Sequence, residues 1–246
     1  MLFRQLFDKE SSTYTYLIAD PDTKAAILVD PVLEQVERDI KLLHELELSL
    51  RYCLETHIHA DHITGTAKIR QITRCLGIVP QHAQADCADR YIQDSETLQL
   101  DSISIKAIAT PGHTDSHMTY QVNGDRILTG DALLIRGCGR TDFQSGDAGV
   151  LFDSVTQRLF TLPEETLVYP AHDYRGHTVS TIWEEKRHNP RFVGRNQAEF
   201  IEFMASLNLP APKKIVEALP ANEHCGNLVE GRTQKMPRNP SLSKQG

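Results

Sequence analysis

Four residues that can bind a metal ion lie within six positions, in the segment His57-Ile58-His59-Ala60-Asp61-His62. Imidazole nitrogens and carboxylate oxygens are the usual ligands of zinc and of non-haem iron in proteins. In a chain with 11 histidines, this grouping arises by chance in about one sequence in a thousand. The segment therefore predicts a catalytic metal ion held by histidines and aspartates.

Three more residues of these types follow short apolar segments that have the composition of strands. His113 ends Thr110-Pro111-Gly112-His113, Asp131 follows Gly130, and His172 ends Pro170-Ala171-His172. Ligands at strand ends, with glycine or proline fixing the turn, form a rigid site. Each residue alone is a weak indication. Together with the first motif they predict one site assembled from four segments.

The other histidines have no such setting, and we interpret them as ordinary: His44, His82, His117, His177, His188 and His224. His117 and His177 are the least secure of these because each lies near a predicted ligand. Asp173 follows His172 directly, and we hypothesise that its carboxylate orients a ligand histidine.

Strands and helices must bring these segments together. Residues 14–19 and 25–30 flank a turn rich in Asp and Pro, which predicts a hairpin. Residues 50–55 are predicted to form a strand that runs into the motif. Because side chains alternate along a strand, His57 and His59 are expected to point to the same side.

Helices are predicted on either side of the motif. Apolar residues at helical spacing predict one helix over 31–48. A second predicted helix, over 61–75, would place Asp61 and His62 at its first turn, facing the same pocket.

The rest of the chain also contains both predicted strands and predicted helices. The pair Asn123-Gly124 between two apolar segments is a strong indication of a hairpin. Helices are predicted over 149–160, 178–188 and 197–207. The order favours a mixed α/β layered domain, with residues 1–227 as one catalytic domain and 228–246 as a flexible C-terminal tail.

Composition excludes several function classes. The chain has 246 residues, a formal net charge of -7 and 24% charged residues, which disfavours nucleic acid and anionic membranes as partners. No apolar stretch is long enough to span a bilayer. The five cysteines are widely spaced, which predicts no disulfide framework and favours the cytoplasm.

The set His57-x-His59-x-Asp61-His62, followed by His113, Asp131 and His172, resembles the metallo-β-lactamase superfamily over about residues 10–175. The resemblance implies an αββα sandwich of two mixed sheets with helices outside. It leaves the reaction open, because the superfamily includes hydrolases, nucleases and oxygenases.

Longer stretches are similar to the persulfide dioxygenase (sulfur dioxygenase) family. They are residues 56–65, 130–143 and 169–174, with shorter matches up to residue 227. The block Gly130 to Phe143 is the most diagnostic. One departure is Thr114-Asp115-Ser116-His117, where the family pattern leads us to expect Pro-Gly and a small residue. It is expected to place an extra charge and an extra imidazole beside the pocket.

This resemblance implies one iron(II) ion per chain, bound by His57, His113 and Asp131. The remaining potential ligands would line the pocket or, in a two-zinc hydrolase, form a second metal site: His59, Asp61, His62 and His172. Two histidines and one carboxylate on one side of an iron leave positions open for substrate and O₂, as in other non-haem oxygenases.

The implied reaction oxidises glutathione persulfide with O₂ and water to sulfite and glutathione. An acidic protein needs local cations to hold the carboxylates of glutathione, and arginine suits them because its fork binds both oxygens. We expect Arg191 and Tyr174 to contact the substrate. Arg140 is expected to contact it as well or to brace the metal loop. A homodimer is expected by analogy with the family.

The main alternative is a hydrolase of the glyoxalase II type, with two zinc ions and a glutathione thiolester as substrate. Five histidines and two aspartates of a dinuclear site are present, and Asp131 would bridge the ions. The short region after His172 lacks a long helical substrate domain, which favours the dioxygenase. A nuclease and a non-catalytic binding module are less favoured.

Overall fold

The first of two sheets contains the N-terminal strands. The structure is a computed structural model that describes residues 1–83, 85–212 and 214–227. Six strands lie in sequence order in this sheet: β1 (Leu2–Asp8), β2 (Thr13–Ala19), β3 (Ala25–Val29), β4 (Ser49–Leu54), β5 (Leu76–Pro80) and β6 (Arg90–Ile92). β1 to β3 pair antiparallel, whereas β3 to β6 pair parallel.

The second sheet also has six strands, in the order β12-β11-β10-β9-β8-β7. They are β7 (Thr97–Leu100), β8 (Ile103–Ala109), β9 (Met118–Val122), β10 (Arg126–Leu128), β11 (Leu167–Tyr169) and β12 (Ser180–Thr181). Only β10 and β11 pair parallel. Both sheets are therefore mixed.

Alternation of side chains builds the core between the sheets. Tyr14, Tyr16 and Ile18 of β2 point inward and pack with residues of the second sheet, whereas Leu17 and Ala19 point outward. This is the period of two expected for a strand covered on both faces.

Helices cover the outer faces. On the first sheet lie α1 (Val36–Glu45) and α2 (Thr66–Thr73), and on the second lies α3 (Ala148–Asp153), continued by a π-helical stretch over Ser154–Leu159. The remaining helices are α4 (Ile182–His188), α5 (Gln197–Ala205) and α6 (Ile215–Asn222). The αββα sandwich of mixed sheets is confirmed. No helix in the described ranges is long and apolar enough to cross a membrane.

Both predicted hairpins are confirmed, and the predictions around the motif are partly wrong. Strand β4 ends at Leu54 and α2 begins only at Thr66. The segment between them is a loop, so alternation along a strand is not what aligns His57 with His59. Tertiary hydrogen bonds hold this loop: Thr64 Oγ1 donates to Glu55, and Thr64 N donates to Asn222. A prediction from local propensity does not include such contacts.

Two features near the C-terminus were not predicted. Helix α6 packs Ala218 and Ala221 against Ile63. A disulfide joins Cys87 to Cys225, which closes a sequence separation of 138 residues, although the cysteine spacing had indicated no disulfide framework. The other three cysteines are free. The predicted tail, residues 228–246, lies outside the described residues.

Candidate metal centre

The four predicted segments meet at one edge of the sandwich. The motif loop follows β4, His113 follows β8, Asp131 follows β10 and His172 follows β11. His172 also forms an isolated antiparallel bridge with Thr13 at the start of β2. Each of the four segments therefore directly follows a strand, which fixes it against the core.

His57, His113 and Asp131 form the group that we call the triad. Each offers one ligand atom, and these atoms lie within 4.8 Å of one another. His113 Nε2 lies 3.5 Å from Asp131 Oδ2, and the two imidazole rings are 4.9 Å apart at an interplanar angle of 87°. All three side chains are buried, so they converge away from bulk solvent.

Hydrogen bonds on the far side of each triad imidazole assign its tautomer. His113 Nδ1 lies 2.7 Å from the carbonyl oxygen of Arg140, so this nitrogen carries the proton and donates it. His57 Nδ1 lies 2.9 Å from Thr56 Oγ1, whose hydroxyl donates to Asp30 Oδ2 and is therefore free to accept. In both residues Nε2 keeps its lone pair for a cation.

The charge state of His57 agrees with this assignment. Burial and the neighbouring imidazoles, beginning with that of His59, hold the pKa of His57 well below its usual value. A neutral imidazole is the form that binds metals. His57 is therefore ready to act as a ligand at neutral pH.

The donor set of the triad fits a single transition-metal ion. Two imidazole nitrogens and one carboxylate oxygen with open positions form the set typical of non-haem iron(II). Asp131 Oδ1 is buried and has no hydrogen-bond partner among the described residues, a costly arrangement unless a cation compensates it. Gly139 makes room for the triad, since a Cβ there would lie 2.8 Å from His113 Nδ1 and 2.5 Å from the carbonyl oxygen of Asp131.

His59, Asp61, His62 and His172 form a second group, which we call the paired group because each imidazole faces a carboxylate. His62 Nδ1 lies 2.9 Å from Asp61 Oδ2. His172 Nε2 lies 3.5 Å from Asp61 Oδ2 and 3.6 Å from Asp131 Oδ1. The two groups thus adjoin at Asp131.

The third imidazole of the paired group belongs to a buried network. His59 Nε2 lies 3.0 Å from Asp30 Oδ1 and 3.7 Å from Glu55 Oε2. Burial opposes protonation of His59, but the carboxylates of Asp30, Asp61 and Glu55 outweigh it and raise its pKa to about 10. Without a metal, this side chain is an imidazolium at neutral pH.

Asn222 of α6 is a site residue for which no role was predicted. Its side-chain amide donates to the carbonyl oxygens of His59 and His62, both at 2.8 Å, and its carbonyl accepts the N–H of Thr64. The side chain is 3% exposed. Three hydrogen bonds to one loop from a residue 160 positions away hold the loop in shape. The similarity of Pro220-Ala221-Asn222 to the persulfide dioxygenases was the only indication of it.

Asp115 and His117, the two residues expected to add a charge and an imidazole beside the pocket, have different surroundings. Asp115 is exposed on the loop. His117 is 1% exposed and lies behind the triad, with its ring 5.1 Å from that of His57 and nearly parallel to it. The expected extra imidazole is therefore next to the triad but buried behind it, because His117, the residue directly before β9, points inward.

The hypothesis for Asp173 also fails. Among the described residues, its carboxylate accepts hydrogen bonds from the backbone N–H of Arg175 and His177 and faces the His177 ring, which stabilises its own loop. His172 Nδ1 instead faces Thr13 Oγ1 at 3.4 Å.

The predicted substrate contacts have different surroundings. Tyr174 is 73% exposed and stacks parallel to His172 with the rings 6.1 Å apart. Arg191 is partly buried over Phe203, and one of its terminal nitrogens is buried without a partner. The Arg140 guanidinium binds Asp142 through two hydrogen bonds, and it also donates to two backbone carbonyls, those of Leu209 and Pro210. These contacts favour bracing as the role of Arg140.

Comparison with known proteins agrees with this geometry. The model of the metallo-β-lactamase superfamily matches residues 8–172. Persulfide dioxygenase ETHE1 of Homo sapiens, named as mitochondrial, is 46% identical over 92% of this chain and 89% of the human protein. The crystal structure of ETHE1 from Myxococcus xanthus is 53% identical, with a TM-score of 0.90, over 92% of this chain and 100% of that one. The chain belongs to the persulfide dioxygenase family.

Membership in the persulfide dioxygenase family confirms the resemblance that the motifs indicated. A protein named glyoxylase B2, from Dictyostelium discoideum, is less similar, at 28% identity over 89% of each chain. A metallo-β-lactamase of Staphylococcus aureus shares the fold, with a TM-score of 0.84 at 24% identity.

Proposed function

We propose that the protein is a persulfide dioxygenase that converts glutathione persulfide, O₂ and water to sulfite and glutathione. The observation that carries the proposal is the triad, in which two imidazoles, each with its Nδ1 in a hydrogen bond, and one carboxylate converge on one point. The reaction balances without another reagent. The terminal sulfur loses the four electrons that O₂ gains, the S–S bond breaks, and water supplies the third oxygen of sulfite.

We propose one iron(II) per chain, held by His57, His113 and Asp131. A bound iron(II) would supply open positions for substrate and O₂ and a redox-active centre between them, while the net electrons come from the sulfur. The chain itself fixes the ligands. The carbonyl of Arg140 and the hydroxyl of Thr56 keep the protons on the far nitrogens, so both Nε2 atoms face one point.

The paired group forms the other wall of the proposed pocket. Asp61 takes up the positive charge of its histidine neighbours, since His172 and His62 lower its pKa despite burial. The same carboxylates, Asp131 and Asp61, raise the pKa of His172. We propose that this wall holds protons and hydrogen bonds, with no second ion.

Substrate recognition is proposed to depend on Arg191 and Tyr174. Arg191 has a buried terminal nitrogen without a partner in the part of the chain that the structure describes, and a carboxylate of glutathione is a suitable acceptor for it. Tyr174 presents an exposed ring above His172, on the solvent side of the paired group. An Arg191→Lys variant keeps the charge but loses the fork, and we expect it to raise KM more than it lowers kcat.

A two-zinc thiolester hydrolase is the second candidate, and one observation favours it. His59 Nδ1 and His62 Nε2 are buried without hydrogen-bond partners, and both residues adjoin Asp61. Such atoms are available to a second cation. The carboxylates that face the imidazoles of the paired group, together with the family relationship, favour the dioxygenase over this alternative.

Metal analysis of protein purified without oxygen, combined with an oxygen-electrode assay, tests both candidates. The proposal requires about one iron per chain, together with O₂ uptake and sulfite release on addition of glutathione persulfide. Two zinc ions per chain, with cleavage of a glutathione thiolester and no O₂ uptake, would overturn it. Zinc-loaded protein serves as the control, because it keeps the fold but lacks redox chemistry.

We also propose that the protein acts in the cytoplasm as a homodimer, with residues 1–227 as one catalytic domain. Three of its five cysteines are free, which suits a reducing compartment, whereas the Cys87–Cys225 disulfide counts against one. Cell fractionation and light scattering of the purified protein test location and assembly. Mitochondrial recovery, as the names of the mammalian relatives would lead one to expect, would contradict the first part.

A further inference from the structure

His117 lies behind the triad and is enclosed by it. The side chain is 1% exposed. Its ring lies 5.1 Å from the ring of His57 at an angle of 27° and 6.1 Å from the ring of His113. It is therefore in contact with the ligands without pointing into the pocket.

Both ring nitrogens of His117 have a defined partner. The backbone N–H of Asp131 donates to Nε2 at 3.0 Å. Nδ1 lies 2.9 Å from Thr110 Oγ1. Because a backbone N–H can only donate, Nε2 must be an acceptor, and the proton must lie on Nδ1 and point to Thr110. The residue is a neutral imidazole of one assigned tautomer.

The backbone around His117 joins the same strand ends. Its carbonyl accepts the N–H of Thr110, which follows β8, at 2.9 Å. The next residue, Met118, donates its N–H to the carbonyl of Thr56, which precedes His57, at 2.8 Å. The residue thus connects the three segments that carry His57, His113 and Asp131.

The fit of the ring depends on a glycine. Gly130 has a φ of +50°, and a Cβ there would lie 2.4 Å from His117 Nε2. Only glycine provides this close approach without backbone strain. The ring thus fills the space beneath Asp131 and receives its N–H.

We propose that His117 is a positioning residue for the metal centre, which orients Asp131 through its backbone N–H and His57 through ring packing. This inference rests on the proposed function for the identity of the ligands. The sequence departs from the expected family pattern at this position, where a small residue is expected. A small side chain would leave the Asp131 N–H without this acceptor and His57 without this neighbour.

The test compares two variants of similar size. His117→Gln keeps an oxygen that can accept the Asp131 N–H, whereas His117→Leu fills the space without an acceptor. His177→Leu is the control, because this imidazole is 45% exposed and has no contact with the triad among the described residues. Cobalt(II) is titrated into each metal-free protein, and the dissociation constant and the visible spectrum are recorded.

We expect His117→Leu to raise the cobalt dissociation constant about 10- to 100-fold, the usual effect of losing a residue that supports a ligand, and to shift the visible bands. His117→Gln should stay within about threefold of wild type, and His177→Leu should not differ from it. Wild-type affinity and spectrum in the Leu variant would overturn the proposal, as would equal loss in the Gln and Leu variants.

Thr110→Val covers the case in which His117→Leu does not fold. It removes the acceptor of the Nδ1 proton and nearly preserves volume, so the tautomer that accepts from Asp131 is no longer enforced. We expect weaker cobalt binding by several-fold, and an unchanged dissociation constant would overturn the proposal. Cobalt binding requires no catalysis. Failure of wild-type protein to oxidise glutathione persulfide would therefore refute the proposed function, whereas the cobalt titrations would still decide the positioning role of His117.

Discussion

The triad and the paired group contain the same residue types but differ in what faces each imidazole. In the triad, the far nitrogens of His57 and His113 face a hydroxyl and a backbone carbonyl. In the paired group, His59 and His62 face carboxylates at 3.0 and 2.9 Å. A neutral partner adds no charge that favours protonation, whereas a carboxylate favours the protonated form. The carboxylates outweigh burial at His59, whose pKa is raised, but burial outweighs Asp61 at His62, whose pKa is lowered.

A ligand motif alone therefore does not determine how many metal ions a site holds. His57 and His59 lie two positions apart in one loop, and their rings are 4.1 Å apart. Burial and neighbouring imidazoles lower the pKa of His57, whereas the carboxylates around His59 raise its pKa to about 10. Asp30 lies behind both residues: it accepts the Thr56 hydroxyl that faces His57 Nδ1, and it faces His59 Nε2 directly.

The largest expected effect is on iron binding, when the removal of a triad imidazole is compared with the removal of an imidazole of the paired group. We expect His113→Ala to weaken iron(II) binding by at least about 100-fold, more than is usual for a residue that only supports a ligand. His172→Ala should keep the iron, because its ring is paired with Asp61 and Asp131. Metal content after anaerobic gel filtration measures both. If the two variants lose iron equally, the division into two groups is wrong.

The pH dependence of stability tests whether the paired group holds a proton. In metal-free protein the folded-state pKa of His59 is about 10, above the unfolded value of 6.5. Its contribution to stability is therefore fully present below pH 6.5 and lost as the pH rises toward 10. The loss can reach roughly 5 kcal/mol at 1.36 kcal/mol for each pKa unit. Urea denaturation between pH 7 and 9 measures the slope.

His59→Gln provides the comparison for that slope. It removes the titrating group while leaving a side chain that can hydrogen-bond to Asp30, so the free energy of unfolding should fall less steeply with pH than in wild type. Exchanging an exposed imidazole, as in His82→Gln, should leave the slope as it was. Parallel profiles for wild type and His59→Gln would mean that the His59–Asp30 pair does not hold a proton.

The sequence predicted the convergence of the site better than the structure of the loop that carries it. His113, Asp131 and His172 each follow an apolar strand, and strand ends in a layered fold meet at one edge. The segment from Asp61 to Gly65 was predicted to be helical, but hydrogen bonds to Glu55 and Asn222 hold it as a loop.

The missed features all depend on partners far away in the chain. Asn222 lies 160 residues from His62, and Cys225 lies 138 residues from Cys87. Local periodicity contains no information about such pairs, and cysteine spacing does not fix connectivity. The position of His117 was not predicted for a related reason, since its place beneath Asp131 becomes visible only when β8, β9 and β10 are assembled.

The smallest expected effect concerns how the two groups are anchored. Asn222 binds the backbone of the loop that carries three of the four members of the paired group, at His59, His62 and Thr64, whereas two members of the triad follow β8 and β10 of the second sheet. Asn222→Ala leaves two buried carbonyls and one N–H without their partner. We expect the free energy of unfolding to fall by about 1–3 kcal/mol, with iron affinity changed only a few-fold.

Asn227→Ala is the matched control, because it removes an exposed asparagine of the same segment whose side chain binds only the carbonyl of His224 among the described residues. Urea denaturation and iron titration of the two variants separate anchoring from ligation. If Asn222→Ala loses iron as His113→Ala does, the loop and the triad are one unit, because His57 belongs to both. If it keeps its iron while losing stability, then His113 and Asp131, held by the second sheet, are enough to keep the ion in place with a loosened His57.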